Sequence, residues 1–144
     1  MFGNDRESLR RHYFTVWEKA GAGQPLEPLE GIIAGVIREH PEYQPLLRDA
    51  EAVLGRDFTP EMGQTNPFLH MGMHIAMQEQ LGSERPDGIR EVYRQICRRV
   101  GDAHTAEHLM MECLGETLWE AQRDGVEPDE RVYLERLRRL AKRI

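Results

Sequence analysis

Apolar residues recur every three or four positions along almost the whole chain, and no segment shows the period-two alternation of a half-buried strand. That pattern forces helices whose apolar stripes must find one another. Glycine, proline and short polar clusters break it into segments of helical length. The expected fold is all-α: a single compact domain over residues 1–144, built from five or six main helices, bundle-like or orthogonal. A chain of 144 residues that is 40% hydrophobic can bury such a core without crosslinks.

The spacing predicts a first helix over about 5–20, capped by Asn4 or Asp5, with Leu9, Tyr13, Val16, Trp17 and Ala20 on its buried stripe. A second begins near Pro28 and buries Leu29, Ile32, Ile33, Val36 and Ile37, with Gly31 and Gly35 permitting close approach of another backbone. His40 follows on the same face, where Pro41 must stop the helix. Residues 41–66 read as short helical pieces, with a capped turn at Thr59–Gly63. Asn66 and Pro67 start a helix to about Gln80 that is apolar nearly all round and therefore central. The next is expected from Pro86 with Ile89, Val92, Tyr93, Ile96 and Val100 inside, its arginines facing solvent, and Gly101 ending it. Asp102 caps a helix to Arg123, buried along Ala103, Ala106, Met110, Cys113, Leu114, Thr117 and Ala121. Pro128 opens the last, with Val132, Tyr133, Leu137, Leu140 and Ile144 inside.

A formal net charge of −6 repels nucleic acid and anionic lipid, so neither is expected as a partner. The basic cluster Arg136, Arg138, Arg139, Lys142 and Arg143 complements the negative end of the last helix. Cys97 and Cys113 form no C-x-x-C motif and are read as small core residues, which fits a reducing, cytoplasmic setting. The first residues lack the apolar run of a secretory signal, and no stretch reaches the ~20 apolar residues of a membrane span.

Chemistry is suggested at one place. Four of the six histidines fall in two pairs at helical i,i+4 spacing, His70/His74 and His104/His108. Glu107 points into the apolar face between the second pair, where a carboxylate needs a partner or a cation. His70, His74, His104, Glu107 and His108 are the expected metal ligands, and their imidazole and carboxylate donors suit zinc, iron, nickel or manganese. His40 is a further ligand or outer-shell partner, or a capping and packing residue. Several methionines lie near the pairs and add copper as a softer alternative, though adaptable core filling explains them too. A hydrogen-bonded histidine–carboxylate network without metal is the competing account.

Known catalytic spacings are missing. There is no H-E-x-x-H, no E-x-x-H pair at Glu107 or Glu112, and no glycine-rich phosphate loop. His108 and Glu112 make the H-x3-E step of hemerythrin-like bundles, without that pattern's other ligands.

Several blocks are similar to one family over the full length. They are Met1 to Arg6, Pro28-Leu29-Glu30, His40-Pro41-Glu42-Tyr43, Gly63 to Gly72 with His74, Gln78-Glu79-Gln80, and Gly101 to His104 with Glu107 to Glu116. On these the chain resembles the bacterial proteins catalogued as domain of unknown function 1841. The resemblance implies no activity, ligand set or partner.

Two functions therefore compete. One is a helical protein binding a divalent transition metal through the two histidine pairs, with Glu107 as ligand or general base. The other is a non-catalytic interaction or scaffold protein, whose partner surface would use the Gly31/Gly35 helix, Trp17 or Trp119.

Overall fold

A computed structural model describes residues 5–55 and 66–144. The cap at Asn4 and the turn at Thr59–Gly63 lie outside the described residues. The fold is all-α, with seven α-helices and one 3-10 segment among the described residues. The helices are α1 (Asp5–Gly21), α2 (Pro28–Arg38), α3 (Ala50–Val53), α4 (Pro67–Ser83), α5 (Ile89–Val100), α6 (Ala103–Asp124) and α7 (Glu130–Arg143). The 3-10 segment, Pro41–Arg48, separates α2 from α3. The count passes the expected five or six because α3 is only four residues long. Chain contacts gather into two compact units, Met1–Ile75 and Ala76–Ile144, and α4 contributes residues to both.

In the first unit α1 packs on α2, and the 3-10 segment packs on both. Val16, Ile33, Val36, Ile37, Phe68 and Met71 are at the centre of its core. Lys19 of α1 meets both carboxylate oxygens of Glu30 at 2.9 Å. Glu30 also accepts the Glu27 N–H at 2.9 Å, which caps the start of α2. That backbone hydrogen bond and the Lys19 ammonium hold the Glu30 carboxyl below its ordinary value.

The buried stripe of α1 is rotated from the expected one. Leu9 is 66% exposed, whereas Arg10 is buried. The Arg10 guanidinium donates to the Val53 and Leu54 carbonyls at 3.0 and 3.3 Å, satisfying the end of α3, and lies 4.8 Å from the Phe68 ring centroid. A four-residue helix cannot satisfy its own terminal carbonyls, and this arginine does so in place of a leucine. Leu29 is likewise exposed, at the first turn of α2. Among the described residues nothing lies within 4 Å of a Cβ built at Gly31 or Gly35, so the expected close backbone approach does not occur there.

The start of α4 follows the sequence. Asn66 Oδ1 accepts the Phe68 and Leu69 N–H groups at 3.0 and 3.2 Å, with Pro67 at the first helical position.

In the second unit α5, α6 and α7 pack pairwise. Met77, Ile89, Ile96, Met110 and Leu137 are among its fully buried side chains, each contributing about 1.5–3 kcal/mol by leaving water. α5 starts at Ile89, not at Pro86. Gly88 is left-handed at φ 95°, so Pro86–Gly88 is a turn, and Glu84 Oε2 caps the helix through the Arg90 N–H at 2.9 Å. Arg90 does not simply face solvent: it donates to the Leu81 and Gly82 carbonyls at 2.7 and 2.8 Å, closing the end of α4. Asp102 caps α6 through the Thr105 N–H at 2.9 Å. α7 starts two residues beyond Pro128, because Asp129 accepts the Arg131 and Val132 N–H groups. Tyr133, Leu137 and Leu140 are buried as expected, while Ala103, Val132 and Ile144 are exposed.

Candidate metal centre

The end of α2 supplies the first imidazole. Pro41 carries no N–H and disfavours a helical conformation at the preceding residue, so His40 leaves the helix at φ −125° and ψ 66°. Its ring Nδ1 stands 2.7 Å from the Val36 carbonyl. A carbonyl only accepts, so Nδ1 carries the proton and donates, and in the neutral ring Nε2 keeps its lone pair. A backbone carbonyl fixing one ring nitrogen is the usual outer-shell support of a metal-binding histidine.

The first turns of α4 supply two more. His70 and His74 are one turn apart, and their Nε2 atoms are 3.2 Å from each other. The His40 ring centroid lies 5.2 Å from that of His70 and 4.7 Å from that of His74. One ring nitrogen from each residue falls in a group within 4.8 Å of one another. Two nitrogens bound at ~2.0–2.1 Å to one tetrahedral metal stand ~3.3 Å apart. The His70–His74 pair already has that spacing, and the His40 nitrogen lies within 4.8 Å of both.

The surroundings are aromatic and largely dry. His74 is 1% exposed and His40 5%, while His70 is half-buried. Tyr43, in the 3-10 segment, stacks on His40 with planes 4° apart and lies edge-on to His70 at 6.2 Å. Burial, with the Glu42 carboxylate nearby, pushes the Tyr43 hydroxyl up from its ordinary value. Tyr13 donates to the Phe68 carbonyl at 3.5 Å, and burial raises its hydroxyl to about 12.

The other expected ligands are in the second unit. His104 is exposed and His108 half-buried on the first turns of α6, their ring centroids 4.2 Å apart. His108 Nδ1 donates to the His104 carbonyl at 2.9 Å. Glu107 is buried on the neighbouring face, with Gln78 Nε2 3.5 Å from its Oε1. His12 is exposed on α1.

Reactive cysteine chemistry has little support. Both thiols are free, Cys113 is buried, and burial raises its thiol pKa, which disfavours the nucleophilic thiolate. Among the described residues no helix is long and apolar enough to cross a membrane.

These features define an all-α protein with three imidazoles gathered between the end of α2 and the start of α4. The chain belongs to the family described as Domain of unknown function (DUF1841), whose model matches residues 5–139. No curated protein and no solved structure matches it.

Proposed function

We propose that the protein binds a divalent transition metal through His40, His70 and His74. The observation that carries this reading is the convergence of three ring nitrogens within 4.8 Å, two of the three residues being buried. Among the described residues the gathered donors are imidazoles, which suit zinc, copper or nickel better than calcium or magnesium. His70 and His74 come from the expected set, and His40 joins them as a full ligand. His104 and His108 pair on α6, but among the described residues they are not gathered with a third donor, so they stand outside the proposed centre. Elemental analysis of chelator-treated, reloaded protein tests the proposal. One equivalent should be retained by the wild type and by His104→Ala/His108→Ala, and lost from folded His70→Ala. A wild type that retains no metal after loading refutes it.

A second reading rests on a separate surface. Leu118, Trp119, Val126 and Val132 are all exposed near the turn between α6 and α7, and such a group favours a protein-binding role. Trp119→Ala should then abolish recovery of a specific partner while leaving metal content unchanged.

A further inference from the structure

We infer that the cleft between the last turns of α5 and α7 binds the phosphate group of a small phosphorylated molecule through Arg98 and Lys142, with Gln95 beside them. This site lies in the second unit and is independent of the proposed metal centre.

Charge is unevenly spread along the chain. The formal net charge is −6, yet α5 carries four arginines against one glutamate, and α7 carries five arginines and a lysine against two glutamates. The two helices pack on each other, and a cleft of about 420 Å³ opens where they end, lined by Gln95, Arg98, Arg99, Ala141 and Lys142. Small-molecule clefts run to roughly 300–1,000 Å³, so the space suits such a ligand. Among the described residues no carboxylate side chain lines it. Glu91 and Glu135, on the same two helices, face Arg94 and Arg139 instead. Arg99 Nη1 donates to the Ile144 carbonyl at 2.8 Å, whereas Arg98 and Lys142 make no hydrogen bond or ion pair among the described residues. Basic last turns also complement helix ends, but each end carries only about half a negative charge, which the gathered cations outweigh. A phosphate monoester carries about −1.5 to −2 at neutral pH and answers both uncommitted cations, where a carboxylate would answer one. The planar Arg98 guanidinium matches two phosphate oxygens, and the Lys142 ammonium adds a point charge. The Gln95 amide both donates and accepts, which suits a hydroxyl on the rest of the molecule.

The test is isothermal titration calorimetry at low salt on the full chain, freed of metal and chelator by dialysis, with glycerol phosphate, inorganic phosphate and glycerol as probes. Glycerol phosphate should bind at one site and at least tenfold more tightly than glycerol, and inorganic phosphate should compete with it. Arg98→Ala and Lys142→Ala should each weaken binding about tenfold, the order that one hydrogen bond to a charged group contributes. Both side chains are exposed, so the variants keep the fold, which their unfolding midpoints check. Arg131→Ala removes the same charge from an exposed position at the other end of α7 and should leave the affinity unchanged. An equal loss there would show unspecific attraction and overturn the inference. Glycerol phosphate that gives no saturable signal would overturn it as well. A single-stranded oligonucleotide that binds where glycerol phosphate does not would also overturn it, assigning the basic face to nucleic acid.

Discussion

All three proposed ligands lie between residues 40 and 74 and come from separate segments of the chain, α2's end and α4. Metal binding is therefore folding free energy, because an unfolded chain does not hold the three nitrogens together. At free zinc one hundred times the dissociation constant, the native state gains about 2.7 kcal/mol. At ~2–4 °C per kcal/mol for a chain of about this length, the midpoint rises by ~5–11 °C. His70→Ala is the informative variant. His70 is half-buried, so truncation leaves a smaller void than at His74, which is 1% exposed. Losing a direct ligand should weaken binding at least as much as the ~10–100-fold seen when an outer-shell partner is lost. At the upper figure the same zinc concentration gives only about 0.4 kcal/mol. Differential scanning calorimetry of each protein with and without zinc measures this directly, and each variant's own stability cancels. The zinc shift should also fade in acid, since only neutral imidazole ligates. A zinc shift equal in wild type and His70→Ala would refute the assignment, as would no shift in the wild type.

Other tests address the second unit. Thr117 is buried, donates to the Cys113 carbonyl at 2.8 Å and accepts from Arg136 Nη1 at 2.9 Å, so Thr117→Val should lower stability by about 1–2 kcal/mol in urea unfolding. An unchanged midpoint would mean that the Arg136 pairing with Glu120 and Glu116 suffices. Hydrogen bonds from the Thr105 hydroxyl and N–H hold the Asp102 carboxyl below its ordinary 3.8. Its contribution is thus present above that value and is lost as pH falls through the lower folded value; Asp102→Asn should flatten this acid limb of stability against pH. Burial drives the Tyr133 hydroxyl far above its ordinary 10.0, and in its protonated form the hydroxyl donates to Gln80 Oε1 at 2.7 Å. A raised folded value means stability that is full below 10 and declines as pH climbs beyond it. Tyr133→Phe should lose about 1 kcal/mol at neutral pH and shed its share of the alkaline decline, which unfolding at stepped pH will show.

Helix type was legible because a 3.6-residue period is local, and Asn66, Asp102 and Gly101 mark their boundaries by chemistry that acts within one turn. Boundaries slipped where a proline sits in the turn before a helix, as at Pro86 and Pro128; there the caps come from Glu84 and Asp129. Faces slipped where a charged residue is buried for the sake of backbone carbonyls. Arg10 does this at the end of α3, and no hydropathy pattern signals it, because its partners are 43 and 44 positions away. The histidine pairs show a similar division. Spacing revealed that His70 and His74 share a face, but not that His104 lies on the exposed side of α6, whose buried face begins at Ala106.

His40 shows how a site can depend on where a helix is made to stop. On α2 it would continue the row of Val36 and Ile37, both buried, and read as one more packing residue. Pro41 takes it out of the helical conformation while the ring still bonds the carbonyl one turn back. That bond fixes the proton on Nδ1 and leaves Nε2 as the free donor atom. His70 and His74 need no such arrangement, since one rigid helical turn spaces them. The pair by itself is a weak motif, as any helix with histidines four apart presents it. What gives it weight is the third ring, brought from a different helix and oriented by a backbone carbonyl. The strongest sequence sign of the site is therefore the ordinary-looking His40-Pro41 step together with the His70/His74 pair, because the proline sets the backbone from which the third nitrogen comes near the other two.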